Sequence, residues 1–384
     1  MNIAIDLTQI PVQKTGIGIH AVFMIREIIK MNRITREDQF FFFAQDDDPE
    51  WAAEIPENNH SLCELITIKS KFFRKLPLRF LFEQLLLPHY CKKLKIAVLL
   101  SLHYTMPYLT DIPVVVIFPD MTFYLFPHLH EKFKRFYFKT FIPLSIKKSR
   151  HIITVSQSTK QDMRALFKLG ERDKITAIHL GVAPLQPQTE QETLGHLDTW
   201  ALKNKQYFLY VGTLEPRKNI PALMAAFHQL SGTAAAQNMP LVIVGGKGWC
   251  YDEIFQKVKE YGLEERVIFT GYVAEEIKQS LLHHAFLFIY PSLYEGFGLP
   301  ILEAMIHGLP VITSNVSSLP EVAGDAALLV NPSNSQEIAA AMHKLLTEPS
   351  FYTSMAEKSR ARAASFTWAQ NAQKTVALLK RMVS

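Results

Sequence analysis

Ser292-Leu293-Tyr294-Glu295-Gly296-Phe297-Gly298-Leu299-Pro300-Ile301-Leu302-Glu303-Ala304-Met305 is the stretch that decides the fold of this 384-residue chain. The apolar run 285–290 before it, Ala-Phe-Leu-Phe-Ile-Tyr, is short and β-rich and reads as a buried strand. Gly296 and Gly298 free the backbone after that strand, and Pro300 suits the first position of a helix carrying Glu303 in its first turn. Strand, glycine loop and helix start therefore follow one another, and Glu295 and Glu303, with seven residues between them, can face one cleft. Backbone N–H groups at such a helix start, around Gly298 and Leu299, form an anion site, and a glycine without Cβ lets a phosphate come close. A carboxylate binds phosphate poorly but accepts well from sugar and ribose hydroxyls. The combination asks for a ligand with both diphosphate and polyol parts, which a nucleotide-sugar has.

Working outward, short β-rich runs alternate with helical patterns along the whole chain. In the first half these are 3–6, 40–43, 65–68, 98–100, 114–118 and 152–155; in the second, 207–211, 241–244, 267–269, 287–290, 311–312 and 328–330. That alternation predicts α/β architecture with parallel sheets, in two domains. Between the series, Pro184-Leu185-Gln186-Pro187-Gln188-Thr189-Glu190 reads as a linker. The expected divisions are residues 1–185, residues 186–365 and a terminal helix in 366–384.

Composition narrows the class. An apolar fraction of 48% and a length beyond one ordinary core describe a globular chain of two domains rather than a disordered one. Three cysteines, Cys63, Cys91 and Cys250, give neither a disulfide framework nor a zinc pattern and favour a reducing cytosol. The sequence offers no signal peptide and no run of ~18 apolar residues. Residues 1–180 hold 25 Lys and Arg against 18 Asp and Glu, whereas residues 181–384 hold 16 against 18. Much of the basic excess lies in 69–95 and 132–150, where cations alternate with aromatics and leucines, including Phe72, Arg74, Lys75, Arg79, Phe80, Phe133, Lys134 and Phe136. Such surfaces suit the anionic inner face of a cell membrane; an ordinary solvated helix face is the competing reading. No nucleic-acid-binding motif accompanies the charge.

The E-x7-E spacing with Glu-Gly-Phe-Gly-Leu-Pro inside it resembles the signature of retaining glycosyltransferases of family 4. The resemblance extends to Val211-Gly212-Thr213-Leu214-Glu215-Pro216-Arg217-Lys218-Asn219, to Leu241–Gly248 and to Ser317–Gly324. It implies the GT-B fold, two Rossmann-like parallel-sheet domains facing a cleft, with the acceptor on the first domain, the nucleotide-sugar on the second, and the terminal helix crossing back onto the first. It further implies that Glu303 accepts from the donor ribose and that Glu295 contacts the donor sugar near the reacting carbon. Lys218 and Arg217 would neutralise the leaving diphosphate, although the family commonly has its arginine where this chain has Thr213. Backbone around Gly271-Tyr272-Val273 would meet the base.

In the first half, Gly16-Ile17-Gly18-Ile19-His20-Ala21 fits a dinucleotide fingerprint in form, but about nine residues separate Asp6 from Gly16, too many for the tight turn that motif needs. The family's glycine loop fits better and implies that Gly16 and Gly18 approach the donor phosphate. Phe118-Pro119-Asp120 ends a strand, where many relatives have a His-Asp pair, leaving Asp120 as a sugar or acceptor contact or a helix cap; His103 is a further candidate. Ser156 is expected to cap a helix. Asp46-Asp47-Asp48 contains D-x-D, a metal-binding pattern elsewhere, and reads here as a solvated acidic turn. No metal or other cofactor is required by this site, because cations and helix N-termini supply the positive charge.

The expected activity is retaining transfer of a hexose from a GDP- or UDP-sugar to the hydroxyl of a glycan or lipid-linked acceptor, with no nucleic-acid partner. The run Gly212–Asn219 looks like bacterial polysaccharide and lipopolysaccharide transferases, many of which use mannose. Two rivals stand beside this reading: a nucleotide-sugar epimerase of the same fold, and a non-catalytic nucleotide-sugar-binding subunit. The location expected is cytoplasmic, with possible peripheral contact at the membrane.

Overall fold

A computed structural model of the chain describes residues 1–12, 14, 16–55, 62–73, 76–170 and 174–383. It divides into two compact units, Met1–Gly181 with Thr367–Ser384, and Val182–Phe366.

In the first unit the strands are β1 (Asn2–Asp6), β2 (Gln39–Gln45), β3 (Cys63–Ile68), β4 (Val98–Ser101), β5 (Val114–Phe118), β6 (His151–Thr154) and β7 (Ile175–Ala177). They form a parallel sheet in the order β3-β2-β1-β4-β5-β6-β7. Runs such as Val114-Val115-Val116-Ile117-Phe118 are buried throughout, as a sheet covered on both faces requires. The three-residue β7 was not expected, being too short for periodicity to reveal.

The terminal helix Trp368–Arg381 belongs to this unit. Trp368 stacks on Phe23 at 5.5 Å and His20 at 5.7 Å, and Lys380 pairs with Glu37 at 2.6 Å and Asp38 at 2.9 Å.

The second unit repeats the plan with β8 (Phe208–Val211), β9 (Leu241–Val244), β10 (Val267–Gly271), β11 (Leu287–Tyr290), β12 (Val311–Ser314) and β13 (Ala327–Val330). Their order is β10-β9-β8-β11-β12-β13, again parallel. In each sheet the order reverses beside the first strand, at β1/β4 and at β8/β11. Loops leaving the carboxyl ends of those two strands diverge there and open a crevice for a ligand.

Two expectations are corrected. The stretch Pro184–Glu190 is not a free linker: the Gln186 N–H donates to Gln279 Oε1 at 3.0 Å, and the Ser280 hydroxyl donates to Gln188 Oε1 at 2.9 Å, tying it to the helix Glu275–His284. Nor is Asp46-Asp47-Asp48 wholly solvated. Asp46 accepts from the Ser70 N–H at 2.8 Å, but Asp48 is 5% exposed and ion-paired to Lys14, which also lies over the Trp51 ring. Among the described residues no cluster of three or more metal-ligating side chains exists. Arg74 and Lys75 of the first basic segment lie outside the described residues.

Candidate active site

At the β8/β11 reversal, the loop after each strand carries one half of an ionic cluster. The loop after β8 ends in a 3-10 turn, Pro216–Lys218, and Asn219 follows at φ 56° before the helix Ile220–Ser231. Asn219 tolerates this left-handed conformation better than most residues, and its side-chain amide donates to the carbonyls of Pro291 and Pro332 at 3.1 and 2.7 Å. The loop after β11 is fastened alongside: the Leu293 N–H and the Ser292 hydroxyl both donate to the Arg217 carbonyl, at 2.8 and 3.1 Å. Backbone bonds thus set the spacing of the charged side chains.

Glu295 is the centre. Its Oε1 accepts from Lys218 Nζ at 2.7 Å, the Ser292 hydroxyl at 2.7 Å and the Tyr290 hydroxyl at 2.9 Å. Its Oε2 pairs with Arg217 Nη1 at 2.9 Å. Arg217 in turn binds Glu215 through Nη2 at 2.6 Å and donates from Nη1 to the Tyr294 carbonyl at 2.6 Å. Burial by itself would raise the Glu295 pKa, but the two cations outweigh it and hold it at about 2. For Lys218, 8% exposed, burial wins over the attraction of Glu295 and lowers its pKa. Tyr290 takes part from both ends, since Lys218 Nζ also donates to its hydroxyl at 2.6 Å. Two cations against two carboxylates leave the cluster near neutral, so an arriving diphosphate would compete with Glu295 and Glu215 for Lys218 and Arg217.

Glu303 lies on the helix Leu299–Ile306, which Gly298 introduces at φ 114°. That conformation favours glycine, and a Cβ there would come 2.9 Å from Leu319. Because Gly298 sets the helix start at Leu299, Pro300 is the second helical residue and Glu303 falls in the second turn. The helix thus begins one residue earlier than expected, which moves Glu303 from the fourth to the fifth helical position, just past the first turn. The carboxylate pairs with Lys278 at 3.1 Å, and Lys278 also holds Glu275 at 2.9 Å. Burial raises the Glu303 pKa more than the shared lysine lowers it; two carboxylates keep the Lys278 pKa raised against its own burial. Val273, just after Gly271 at φ 71°, is half-buried at the end of β10.

The remaining expected residues are in the first unit. Gly16 at φ 44° caps the helix Ile17–Thr35 with open space around it, whereas a Cβ on Gly18 would touch the Lys14 side chain at 3.0 Å. Asp120 Oδ1 accepts from the Thr122 N–H at 2.8 Å, the Thr122 hydroxyl at 2.7 Å and the Tyr104 hydroxyl at 2.6 Å, so it fixes the start of Thr122–Leu125. His103 packs edge-on against Phe138, and burial pushes its pKa down to about 4. Ser156 Oγ accepts from the Thr159 N–H at 3.0 Å and caps Gln157–Phe167.

Glu215, Tyr290, Ser292 and Lys278 were not singled out from sequence. Glu215 and Ser292 stand inside the quoted motifs, and that adjacency was the available signal. Nothing local marks Lys278, which reaches Glu303 only through the packing of two helices.

Two doubly wound sheets, with cations gathered on a carboxylate at a strand-order reversal, define a class: a two-domain α/β enzyme built for a phosphorylated ligand. Comparisons with known proteins supply the family. The family described as "Glycosyl transferases group 1" matches residues 198–362, and that described as "Glycosyltransferase Family 4" matches residues 16–184. The chain belongs to the family 4 glycosyltransferases and is a glycosyltransferase of the GT-B fold.

It is 32% identical over 263 residues to the O-antigen chain mannosyltransferase B of Escherichia coli, covering 68% of each chain. It is 33% identical over 180 residues to the serotype-specific mannosyltransferase WbdA of the same species, covering 46% of this chain but 22% of that one. Among solved structures, Anabaena Alr3699/HepE in complex with UDP and glucose aligns over 99% of this chain and 100% of its own, with a TM-score of 0.75 at 17% identity. WaaG, a glycosyltransferase involved in lipopolysaccharide biosynthesis, aligns over 98% and 99% with a TM-score of 0.72 at 16% identity. At such identities the structural likeness is one of fold.

Proposed function

We propose that this glycosyltransferase moves mannose from a nucleotide-diphosphate sugar to a hydroxyl of a growing bacterial glycan, retaining the anomeric configuration. The observation that carries the reading is Lys218 and Arg217 converging on Glu295 at the β8/β11 reversal. Two oriented cations there can stabilise the charge that develops on a departing diphosphate without a metal. The choice of mannose rests on the relatives named O-antigen and serotype-specific mannosyltransferases. GDP is the nucleoside diphosphate we infer for a mannosyl donor; UDP is the competitor.

Binding and chemistry then follow from one exchange of partners. The diphosphate takes Lys218 and Arg217, the backbone N–H groups at Gly298 and Leu299 contact phosphate, and Val273 adjoins the base. Glu303 accepts from the ribose. Glu295, relieved of its cations, accepts from hydroxyls of the transferred sugar and stabilises the positive charge that grows at the reacting carbon. The acceptor hydroxyl attacks on the face the diphosphate leaves, and the diphosphate takes its proton, so no protein base is needed. Asp120 serves as a further sugar or acceptor contact.

Thermal shift with GDP and UDP tests the donor site, because a ligand at about 100 times its Kd stabilises by ~2.7 kcal/mol. Product analysis with GDP-mannose and a lipid-linked glycan then tests transfer and configuration. Conversion of donor alone to an isomeric sugar would point to epimerisation instead.

We also infer peripheral contact with an anionic membrane. No helix among the described residues is long and apolar enough to cross a membrane. Leu81 and Leu85 stand 47% and 53% exposed, and Phe133 and Phe136 stand 61% and 72% exposed beside Lys132, Lys134 and Arg135. Aromatic side chains among cations suit an interface. Co-sedimentation with phosphatidylglycerol vesicles, lost in Phe133→Ser with Phe136→Ser, checks this.

A further inference from the structure

Glu295 is held ionised by two cations on a neighbouring loop, whereas Glu303 pairs with a single lysine supplied by another helix. Lys278 is the fourth residue of Glu275–His284, a helix that begins two residues after Val273. Its Nζ donates to Glu303 Oε2 at 3.1 Å and pairs with Glu275 Oε2 at 2.9 Å. The Lys278 and Glu303 side chains are 15% and 17% exposed, that of Glu275 45%. Glu303 Oε1 has no hydrogen-bond or ion-pair partner among the described residues. The lysine thus occupies one carboxylate oxygen and leaves the other free to accept.

Burial raises the Glu303 pKa, the Lys278 charge lowers it, and the Glu275 charge raises it again. This balance decides what the carboxylate can hold. An ionised carboxylate accepts through both oxygens, whereas a protonated one turns one of them into a donor. The 2′ and 3′ hydroxyls of a ribose both donate to such an acceptor, so protonation removes part of the grip. A buried carboxylate that loses its cation relieves the uncompensated charge by taking up a proton. Other charges nearby are committed elsewhere. Glu276 of the same helix is exposed, and burial keeps His307 neutral by pushing its pKa down to about 3. On the helix Pro349–Ala364, Lys358 pairs with Asp325, Arg362 donates to the Glu321 and Val322 carbonyls, and Arg360 lies against Gly308.

We propose that Lys278 is a positioning residue for the donor, one that keeps Glu303 ionised and orients its carboxylate to accept from both ribose hydroxyls. This rests on reading Glu303 as the ribose acceptor. Glu275 draws on the same amine, so it opposes the effect: loss of Lys278 weakens the ribose contact and loss of the Glu275 charge strengthens it.

The test is calorimetric titration of the full chain with GDP and with 2′,3′-dideoxy-GDP across a pH series; the uridine pair replaces them if the wild type takes UDP. The readout is the ratio of the two affinities, which cancels the titration of the diphosphate and of Lys218 and Glu295, common to both nucleotides. The wild type is expected to prefer GDP by about tenfold or more, as hydrogen bonds to a charged acceptor provide, and to lose that preference on acidification. Lys278→Met keeps an apolar stem of similar length. It should lose most of the preference near neutrality, bind the dideoxy nucleotide as the wild type does, and regain the preference as the pH is raised. Lys278→Arg should restore the wild-type pH course, and Glu275→Gln should move the loss of preference to lower pH. In turnover Lys278→Met should raise the donor KM and leave kcat nearly unchanged. Because Glu275 is exposed, Glu275→Gln decides the matter even if Lys278→Met fails to fold. Equal weakening of both nucleotides in Lys278→Met, or a pH course that neither Lys278→Met nor Glu275→Gln moves, would overturn the proposal. A wild type that does not distinguish GDP from its dideoxy analogue would instead overturn the ribose role of Glu303, and the role of Lys278 with it.

Discussion

Lys218 and Glu295, 77 positions apart in sequence, form a buried ion pair 2.7 Å long that joins the loops after two neighbouring strands. Removing one partner of a buried pair strands the other charge. Here Arg217 remains beside Glu295 and softens that loss.

Lys218→Ala is therefore expected to fold with a stability loss of about 3 kcal/mol and to lower transfer by roughly 10²-fold or more. Binding of the free nucleoside should change less, because the contacts proposed for base and ribose, at Val273 and Glu303, do not involve the amine. Urea unfolding and steady-state kinetics measure the two effects; near-normal turnover would remove Lys218 from diphosphate stabilisation.

The two motif glutamates should separate kinetically. Glu303, proposed to hold the ribose before and during reaction, should on change to alanine mainly raise the donor KM. Glu295→Gln should mainly depress kcat, because the contact proposed for it strengthens as positive charge develops on the sugar. Varied-donor kinetics on folded variants decide it, and a Glu295→Gln enzyme altered only in KM would contradict the division.

Glu295 also makes a pH prediction. Its pKa in the fold, about 2, lies below the ordinary 4.5, so its ion pairs contribute stability that is complete above pH ~4.5 and is lost as the pH falls toward 2. The Tm advantage of wild type over Glu295→Gln should be level near neutrality and shrink across that window.

Glu83 should behave in the opposite sense. Burial, then the charge of Asp6, pushes its pKa up to about 8 against the attraction of Arg79; Tyr108, Tyr137 and the neutral His103 are the other titratable groups around it. The fold holds the proton more tightly than the unfolded chain, so stability is greatest below pH ~4.5 and is lost as the pH rises through about 8. Glu83→Gln cannot ionise, and its Tm relative to wild type should climb between those limits. A flat difference would mean that Glu83 titrates normally.

Activity should survive EDTA if Lys218 and Arg217 supply, as proposed, the charge a metal would. Asp46→Ala should change little, whereas Asp48→Ala should cost ~1 kcal/mol by removing the nearer of the two carboxylates that pair with Lys14, Glu50 remaining at 3.7 Å. Loss of turnover in EDTA, restored by manganese, would refute the metal-free reading.

Strands and motifs were legible in the sequence because their causes are local. Val114–Phe118 and Leu287–Tyr290 are uninterrupted apolar β-formers, and covalent order fixes Glu295 and Glu303 with seven residues between them. The three residues of β7 lacked enough pattern, and the helix start near Pro300 turned on the φ of Gly298, which sequence alone did not fix. What lies across from each motif residue was decided only by tertiary structure. Glu215 and Tyr290 meet around Arg217, Lys218 and Glu295 because β8 and β11 pair at the reversal of strand order. Asp6, Gln9 and Glu83 come together because β1 pairs with β4 and a π-helical turn, Phe82–Leu86, places the glutamate beneath them. Hydrophobic periodicity records which face of an element is buried. It carries no record of which other element covers that face, and the partners of every charged group at these two reversals depend on that choice.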